Sequence, residues 1–149
     1  MKYLVMTLLA VTVLAALIAT GCQDLKSPIE DRVWVLSGYT SPDASHHNAV
    51  AGTEVTALFD SKKGTVSGSG GCNSYGGEYT VDKLKLTITN MAWTERACLE
   101  PERNTQETAF FTALAAATEF RVGSRTLTIE GGGWTLDFDE KPVPTPEES

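Results

Sequence analysis

The sequence predicts an α+β domain in which a mainly antiparallel, strongly curved β-sheet packs against a single α-helix. Three observations support this fold class. Apolar and polar residues alternate along several short segments, as in strands that bury one face. Turns that contain glycine separate many of these segments, and short turns join antiparallel strands. One segment, residues 101–118, has apolar residues three to four positions apart, which is the spacing of a helix face.

The first half of the domain is predicted to contain short strands joined by turns. Leu84, Leu86 and Ile88 alternate with polar residues in the clearest two-residue period of the chain. Residues 39–52 are mostly polar, include a Ser-Pro step and two histidines, and are expected to form a loop. The strands expected in this half are residues 33–36, 54–59, 65–68, 78–81 and 84–89.

The helix is expected to begin between Pro101 and Thr105 and to end near Thr118. Glu102 and Glu107 favour the helix N-terminus, because carboxylates interact well with the helix dipole there. The apolar face is expected to consist of Phe110, Phe111, Leu114 and Ala117. Three strands are expected after the helix, at residues 119–122, 126–129 and 134–138, and they give a sheet of six to eight strands.

The N-terminus has the features of a bacterial lipoprotein signal. Lys2 precedes a largely apolar run over residues 4–18, interrupted only by Thr7 and Thr12, which is long enough for a secretory signal and short for a membrane span. Residues 19–21 are small and lead to Cys22, and this arrangement resembles the lipobox at which bacterial lipoproteins are lipidated and cut. Ala19 stands where the lipobox usually has Leu. The alternatives are an ordinary cleaved signal and an uncleaved N-terminal anchor.

The chain therefore divides into four predicted segments. Residues 1–21 are the lipoprotein signal peptide, residues 22–31 a tether, residues 32–140 the folded domain, and residues 141–149 a disordered tail rich in Pro and Glu. A lipid on Cys22 is expected to hold the domain on the outer membrane or on the outer leaflet of the cell membrane. The domain would then face the periplasm or the exterior of the bacterial envelope.

The charge of the chain excludes one class of partner. The formal net charge is −7, and no cluster of Lys and Arg offsets it. Such a surface repels phosphate backbones, so we expect no nucleic-acid partner. It also argues against charge-driven adhesion to anionic lipids, and membrane attachment is expected to come from acyl chains alone, each buried CH₂ contributing about 0.8 kcal/mol.

The cysteine count predicts one disulfide. If lipid modifies Cys22, the exported chain retains Cys72 and Cys98, and an even number of cysteines in an oxidising compartment favours a bridge. In the chain-entropy account a loop of this length stabilises the fold by about 3–4 kcal/mol. The alternative is two free, buried cysteines that act as small apolar residues.

Residues 68–79, Gly-Ser-Gly-Gly-Cys-Asn-Ser-Tyr-Gly-Gly-Glu-Tyr, resemble the signature of the META domain, or HslJ-like, family of small bacterial envelope proteins. Residues 34–36, Trp-Val-Leu, are similar to the opening element of the family, and residues 94–98 to its T-x-x-A-C element. Residues 107–114 match its E-x-x-F-x-x-x-L helix. Tyr79, Leu84 and Leu86 stand at the Tyr and paired Leu positions of the family, and the resemblance covers about residues 32–138.

This resemblance implies an α+β fold in an envelope protein linked to heat-shock or stress responses and antibiotic tolerance, with no enzymatic activity and no cofactor. It singles out motif residues for which we expect structural roles: Gly70, Gly71, Asn73, Tyr79 and Thr94. Asn73 is expected to bond to its own backbone and to tolerate a left-handed conformation. Trp34 and Trp134 are expected in the core, and Trp93 is expected to be half exposed.

Three catalytic or ligand-binding interpretations of the motifs are weak. Residues 68–71 are rich in glycine but lack the Lys-Ser/Thr of a phosphate loop, and glycine there favours a strand bulge or positive φ. Cys72 as a nucleophile, with His46 or His47 as its base, lacks the strand-turn-helix context of a nucleophile elbow. Adjacent histidines on an extended segment point in opposite directions and rarely ligate one metal ion, even with Asp43 nearby.

The sequence thus favours a non-enzymatic, membrane-anchored module that binds an unknown protein or peptide. The expected binding surface comprises the strand edges around Trp93 and the loop of residues 41–52. Two alternatives stay open. One is a thiol-disulfide redox protein that uses Cys72 and Cys98, although these are far from the C-x-x-C spacing of such proteins. The other is a barrel that binds a small ligand in an open apolar pocket.

Overall fold

The computed structural model describes residues 26–142. The predicted signal peptide, Cys22 and most of the predicted tail therefore lie outside the described residues. The strands are β1 Val33–Thr40, β2 His46–Asn48, β3 Thr56–Asp60, β4 Thr65–Ser69, β5 Ser74–Asp82, β6 Lys85–Trp93, β7 Glu119–Val122, β8 Thr126–Gly131 and β9 Trp134–Glu140. The helix is α1, Pro101–Ala115. No helix within residues 26–142 is long and apolar enough to span a membrane.

The strands form one antiparallel sheet that curves until it closes on itself. The strand order is β2-β1-β3-β4-β5-β6-β7-β8-β9, and β1 also pairs with β9. Strand β9 pairs along β1 from Trp34 to Thr40, so β3 and β2 share the other edge of β1. Eight strands therefore complete a barrel, to which β2 is added. This architecture, with one helix among residues 26–142, confirms the predicted α+β class.

The barrel has one weak joint, between β6 and β7. These strands share a single residue pair, Lys85 with Glu119. Two further backbone hydrogen bonds hold the joint. The Leu86 N–H donates to the Thr118 carbonyl, and the Phe120 N–H donates to the Leu84 carbonyl. Helix α1 contacts β6, β8 and β9, and thus packs across the gap that opens beyond this joint.

Apolar side chains from every strand except β2, and from α1, fill the interior. The alternation expected for residues 54–59 is observed, because Val55, Ala57 and Phe59 are all buried. The helix contributes Phe110 and Leu114, both fully buried. The largest fully buried apolar side chains are Trp34, Phe59, Phe110, Phe120 and Phe138. In a barrel of this size the side chains fill the interior. Their close packing fixes the helix and the strands relative to one another.

The structure differs from the sequence prediction in the number of strands. The sheet has nine strands rather than six to eight, because His46–Asn48 forms β2 inside the predicted loop of residues 39–52. All three β2 side chains are exposed, so the strand has no apolar alternation to reveal it. The helix ends at Ala115, three residues before the expected end. Leu84 begins the predicted alternation, yet it lies in the β5–β6 turn and is 60% exposed.

The last residues of the predicted tether pack on the barrel. Ile29 is fully buried, and its carbonyl accepts a 2.8 Å hydrogen bond from the Trp34 indole. Glu30 forms an isolated bridge with Phe59 and accepts a 2.6 Å bond from the Tyr79 hydroxyl. The chain from residue 27 onward is therefore held against the domain.

Candidate functional site

The glycine-rich motif forms a tight connection between β4 and β5. Gly71 has φ 112°, a left-handed conformation that favours glycine, so the predicted positive φ is observed here. At Gly70 a Cβ atom would lie 2.7 Å from Glu107 Oε1 and 2.5 Å from the Phe111 ring. The chain therefore approaches α1 so closely at Gly70 that a side chain has no room.

Because of this close approach, backbone N–H groups of the motif lie within hydrogen-bond distance of a buried carboxylate on the helix. Glu107 is 5% exposed. Its Oε1 accepts the Cys72 N–H at 3.0 Å and the Asn73 N–H at 2.6 Å. Its Oε2 accepts the Asn73 side-chain amide at 2.6 Å. Three donors on one carboxylate compensate for its burial and fix the motif to α1.

Asn73 connects the motif to a third segment. Its Oδ1 accepts the Thr94 hydroxyl at 2.8 Å and the Arg96 N–H at 2.7 Å, and its Nδ2 also donates to the Arg96 carbonyl at 3.1 Å. The predicted bond to its own backbone and the left-handed conformation are therefore wrong, and Gly71 has the positive φ instead. Asn73 and Glu107 together hold the motif, the segment after β6 and the helix in one place.

A disulfide between Cys72 and Cys98 closes the same region, as the cysteine count predicts. The Cα atoms are 5.7 Å apart, and 26 positions separate the two residues. Cys98 Sγ lies 3.8 Å from Glu107 Oε2. If the bridge were reduced, this carboxylate would disfavour a thiolate on Cys98, which argues against an easily activated thiol.

The two sulfurs and the Glu107 carboxylate lie within 4.8 Å of one another, a spacing that a metal site would require. The donors do not fit a metal in the oxidised protein. The sulfurs are bonded to each other, and three N–H donors already occupy the carboxylate of Glu107. The cluster is a structural clamp.

A groove of about 310 Å³ opens beside the clamp, between the end of β6 and α1. Trp93 forms one wall, is 47% exposed as predicted, and stacks on Phe111 with ring centroids 5.0 Å apart. The groove is lined by Asn73, Trp93, Thr94, Glu95, Asn104, Glu107, Thr108, Phe111, Thr112 and Ala115. A half-exposed indole beside polar groups is typical of a binding surface.

The surface continues across the helix. A second groove of about 370 Å³ lies between α1 and Trp134, and shares Asn104, Thr108 and Thr112 with the first. Trp134 is therefore partly exposed at this surface and not a full member of the predicted core. Thr108 and Thr112 are exposed, and their hydroxyls donate to carbonyls four residues back. No charged side chain of α1 after Arg103 is exposed.

A cavity of about 730 Å³ lies at a different place, where the tether meets the barrel. Its lining residues are Lys26, Ser27, Pro28, Glu30, Ser61, Val81 and Lys83. Lys26 and the Ser61 N–H and hydroxyl bond to the Asp31 carboxylate and hold its pKa below the ordinary range. Two of its charged lining residues are already engaged, because Lys26 pairs with Asp31 and Glu30 accepts bonds from the Ser27 N–H and the Tyr79 hydroxyl. Its lining contains none of the residues around Trp93. We therefore place the candidate site at the Trp93 groove.

The loop of residues 41–52 contributes a neighbouring surface and no catalytic base. His47 stacks on Tyr39 with ring centroids 4.8 Å apart, and His46 Nδ1 lies 3.2 Å from the Thr40 hydroxyl. Both histidines belong to β2, which lies along β1, whereas Cys72 belongs to the β4–β5 connection and is bonded to Cys98. The nucleophile-base pair considered from the sequence is thus not formed in this structure.

Sequence reasoning missed two polar residues of the helix. The sequence pattern predicts a helix-dipole role for Glu107 and no role for Gln106, yet both are buried. Gln106 accepts the Val50 N–H at 2.6 Å and donates to the Thr53 hydroxyl at 3.0 Å, which holds the end of the loop. The available signal was their position among apolar residues of the helix and, for Glu107, its place in the E-x-x-F-x-x-x-L element.

Comparison with known proteins supports the family resemblance. The META domain family model matches residues 27–143. An NMR structure of a protein from Burkholderia xenovorans is 27% identical, with a TM-score of 0.66 over 77% of this chain and 85% of that one. A second NMR structure is 20% identical, with a TM-score of 0.59 over 77% of this chain and 95% of that one. A crystal structure of a DUF4847 family protein from Bacteroides vulgatus shares the fold at 14% identity, with a TM-score of 0.54 over 78% of this chain and 97% of that one. No curated protein matches the chain.

Proposed function

This chain belongs to the META domain family, and from that membership we propose that it is a binding module of the bacterial envelope without enzymatic activity. A lipid on Cys22 anchors it to a membrane, and the domain binds a protein or peptide during heat or antibiotic stress. The observation that carries the binding role is the groove beside Trp93, because its indole is 47% exposed while the residues around it are held rigidly.

The rigidity of the groove comes from the clamp behind it. Trp93 stacks on Phe111, and the neighbouring Thr94 donates to Asn73, which in turn donates to the buried Glu107. A binding surface that is ordered before the partner arrives loses little conformational entropy on association. The arrangement therefore favours recognition over chemistry.

The redox alternative receives less support from the same region. Catalytic disulfides need a thiolate that is stabilised by a positive neighbour, and Cys98 instead lies beside the carboxylate of Glu107. The small-ligand alternative needs space inside the barrel. Large aromatic side chains fill that interior, among them Phe59, Phe120 and Phe138.

The test is photo-cross-linking in intact cells of the native host under heat or antibiotic stress. A photo-reactive amino acid replaces Thr108, which is exposed and lines both grooves. The expected result is a discrete cross-linked partner, which is lost when Trp93→Ala is added. The matched control places the same amino acid at Lys62, an exposed position in the β3–β4 turn.

Equal cross-linking at positions 62 and 108, or cross-linking at 108 that persists with Trp93→Ala, would argue against a binding site at this groove. Membrane fractionation of each variant shows whether a lost cross-link reflects lost binding or lost anchoring.

A further inference from the structure

Strand β6 has one edge without a partner over most of its length. Strand β5 pairs along its other edge from Lys85 to Trp93. On the side of β7, pairing ends at Lys85 and the backbone bond from Leu86 to Thr118. Within residues 26–142, no strand pairs with residues 87–93 on that side.

The backbone groups of Trp93 point toward this free edge. The Thr94 N–H donates to the Ser74 carbonyl at 3.0 Å, which places the Thr94–Ser74 pair in the hydrogen-bonded class. Hydrogen-bonded and non-hydrogen-bonded pairs alternate in antiparallel sheets, so the adjacent Trp93–Tyr75 pair belongs to the other class. The Trp93 N–H and carbonyl therefore point away from β5, toward the groove.

This edge lacks two of the usual protections against further pairing. Edge strands commonly carry lysine or proline, which prevent another strand from adding. Residues 86–94 contain neither a charged residue nor a proline. Ala92 and Trp93 are exposed beside the groove. Strand β6 bulges at Asn90, which has φ 52°, and its pairing with β5 is regular again at Ala92 and Trp93. The part of the edge beside Trp93 is thus a template for one more strand.

The charge of the groove indicates which kind of segment binds at this edge. The charged residues that line the groove are both carboxylates: Glu95, which is exposed, and Glu107, which is buried. A second copy of this chain brings a formal net charge of −7 toward these groups. An extended segment with basic side chains brings the complementary charge instead.

We propose that the free edge of β6 beside Trp93 binds an extended, basic peptide segment as an additional β-strand. This inference rests on the proposed function and names its ligand. The peptide backbone pairs with Trp93, as in other sheet-edge recognition. One apolar side chain packs on the indole, which Phe111 supports from behind, and a basic side chain pairs with Glu95.

The test uses the full chain in nanodiscs of neutral phosphatidylcholine, so that lipid does not attract basic peptides. The probes are acetyl-TVKVKT-amide, the acidic copy acetyl-TVEVET-amide, and a basic copy with N-methylated valine and lysine amides. Fluorescence anisotropy of labelled peptides gives affinities, and hydrogen-deuterium exchange locates the contact. The basic peptide is expected to bind at least about tenfold more tightly than either other peptide and to slow exchange in residues 87–95.

Two variants and one control variant identify the residues that hold the peptide. Glu95→Lys changes an exposed residue and is expected to reverse the preference between the basic and acidic peptides. Trp93→Ala is expected to weaken the basic peptide about tenfold or more, whereas Leu99→Ala, at a residue that is 94% exposed, leaves binding unchanged.

The proposal is overturned if the basic peptide does not protect residues 87–95, or if the N-methylated peptide binds equally well. Protection of β6 without peptide, in nanodiscs that hold two chains, would identify a second copy as the occupant and also overturn it. A partner that cross-links through the Trp93 groove without protecting β6 would refute strand addition and leave the proposed binding function standing.

Discussion

The Asn73 amide donates to the Glu107 carboxylate across 2.6 Å, and both residues are buried. They lie 34 positions apart in the chain, on the β4–β5 connection and on α1. Glu107 also receives two backbone N–H groups of the motif. The glycine-rich motif therefore supplies its N–H donors to a carboxylate of its own chain.

We predict that Glu107→Ala destabilises the domain by about 3 kcal/mol, because three N–H donors lose a charged acceptor in a buried place. Urea unfolding at pH 7 measures the loss. Glu102→Ala, an exposed glutamate in the same helix, serves as the control and should change stability by less than about 0.5 kcal/mol. Equal effects of the two substitutions would show that the buried network contributes little.

Gly70→Ala is predicted to destabilise by about 2 kcal/mol or more, because its Cβ would lie 2.7 Å from Glu107 Oε1 and 2.5 Å from Phe111. Gly64→Ala is the informative comparison. Gly64 has φ 66° but no atom within 4 Å of a Cβ, so it tests backbone strain alone. A smaller loss at Gly70 than at Gly64 would contradict the crowding argument.

The Cys72–Cys98 bridge predicts that purified, unreduced protein has no reactive thiol at either position. Cys98→Ala should lower the free energy of unfolding by about 2–5 kcal/mol. Thiol alkylation with mass spectrometry and urea unfolding provide the two measurements. If both cysteines of the native protein alkylate stoichiometrically, the bridge is not formed in solution.

The fold was more predictable than the site, for a physical reason. Strands such as β3 show their buried face through apolar alternation, and Val55, Ala57 and Phe59 are buried as expected. Strand β2 was missed because its position depends on pairing with β1 and its side chains are all exposed.

Glu107 shows why the site could not be predicted in the same way. A glutamate near a helix N-terminus is usually exposed and interacts with the dipole, and the position of Glu107 on the apolar face of α1 is the one local indication of its burial. Its burial is possible only because Gly70 allows the β4–β5 connection to approach and deliver the Cys72 and Asn73 N–H groups. That compensation comes from the tertiary fold and has no local pattern.

The raised pKa values of two buried tyrosines predict that the domain loses stability at alkaline pH. Burial raises the pKa of Tyr75, and burial together with the Glu30 carboxylate raises that of Tyr79. Their ordinary pKa is 10.0, so their stabilising contribution is complete below pH 10 and is lost as the pH rises above it. Each can contribute a slope of up to about 1.4 kcal/mol per pH unit.

Urea unfolding between pH 8 and 11 measures this slope. Tyr75→Phe removes a titrating group and should flatten the decline above pH 10. It also loses the 3.0 Å bond to the Thr56 carbonyl, which lowers stability at pH 8 by about 1 kcal/mol. A variant with the same slope as the wild-type protein would show that Tyr75 is not responsible for alkaline unfolding.

The last prediction concerns the anchor, which decides whether the groove acts at a membrane. If Cys22 is lipidated, the mature protein should partition into the detergent-rich phase, and Cys22→Ser should release it or leave it as an unprocessed precursor. The reason is that several acyl chains bind a bilayer far more strongly than the surface of a chain with a formal net charge of −7 can. Mass spectrometry of the N-terminal peptide detects the lipid, and Cys98→Ala, which leaves Cys22 intact, is the control for loss of a cysteine. A processed Cys22→Ser protein that stays fully membrane-bound would show that something other than the lipid holds this domain, and the exposed Trp93 would then be the first residue to replace.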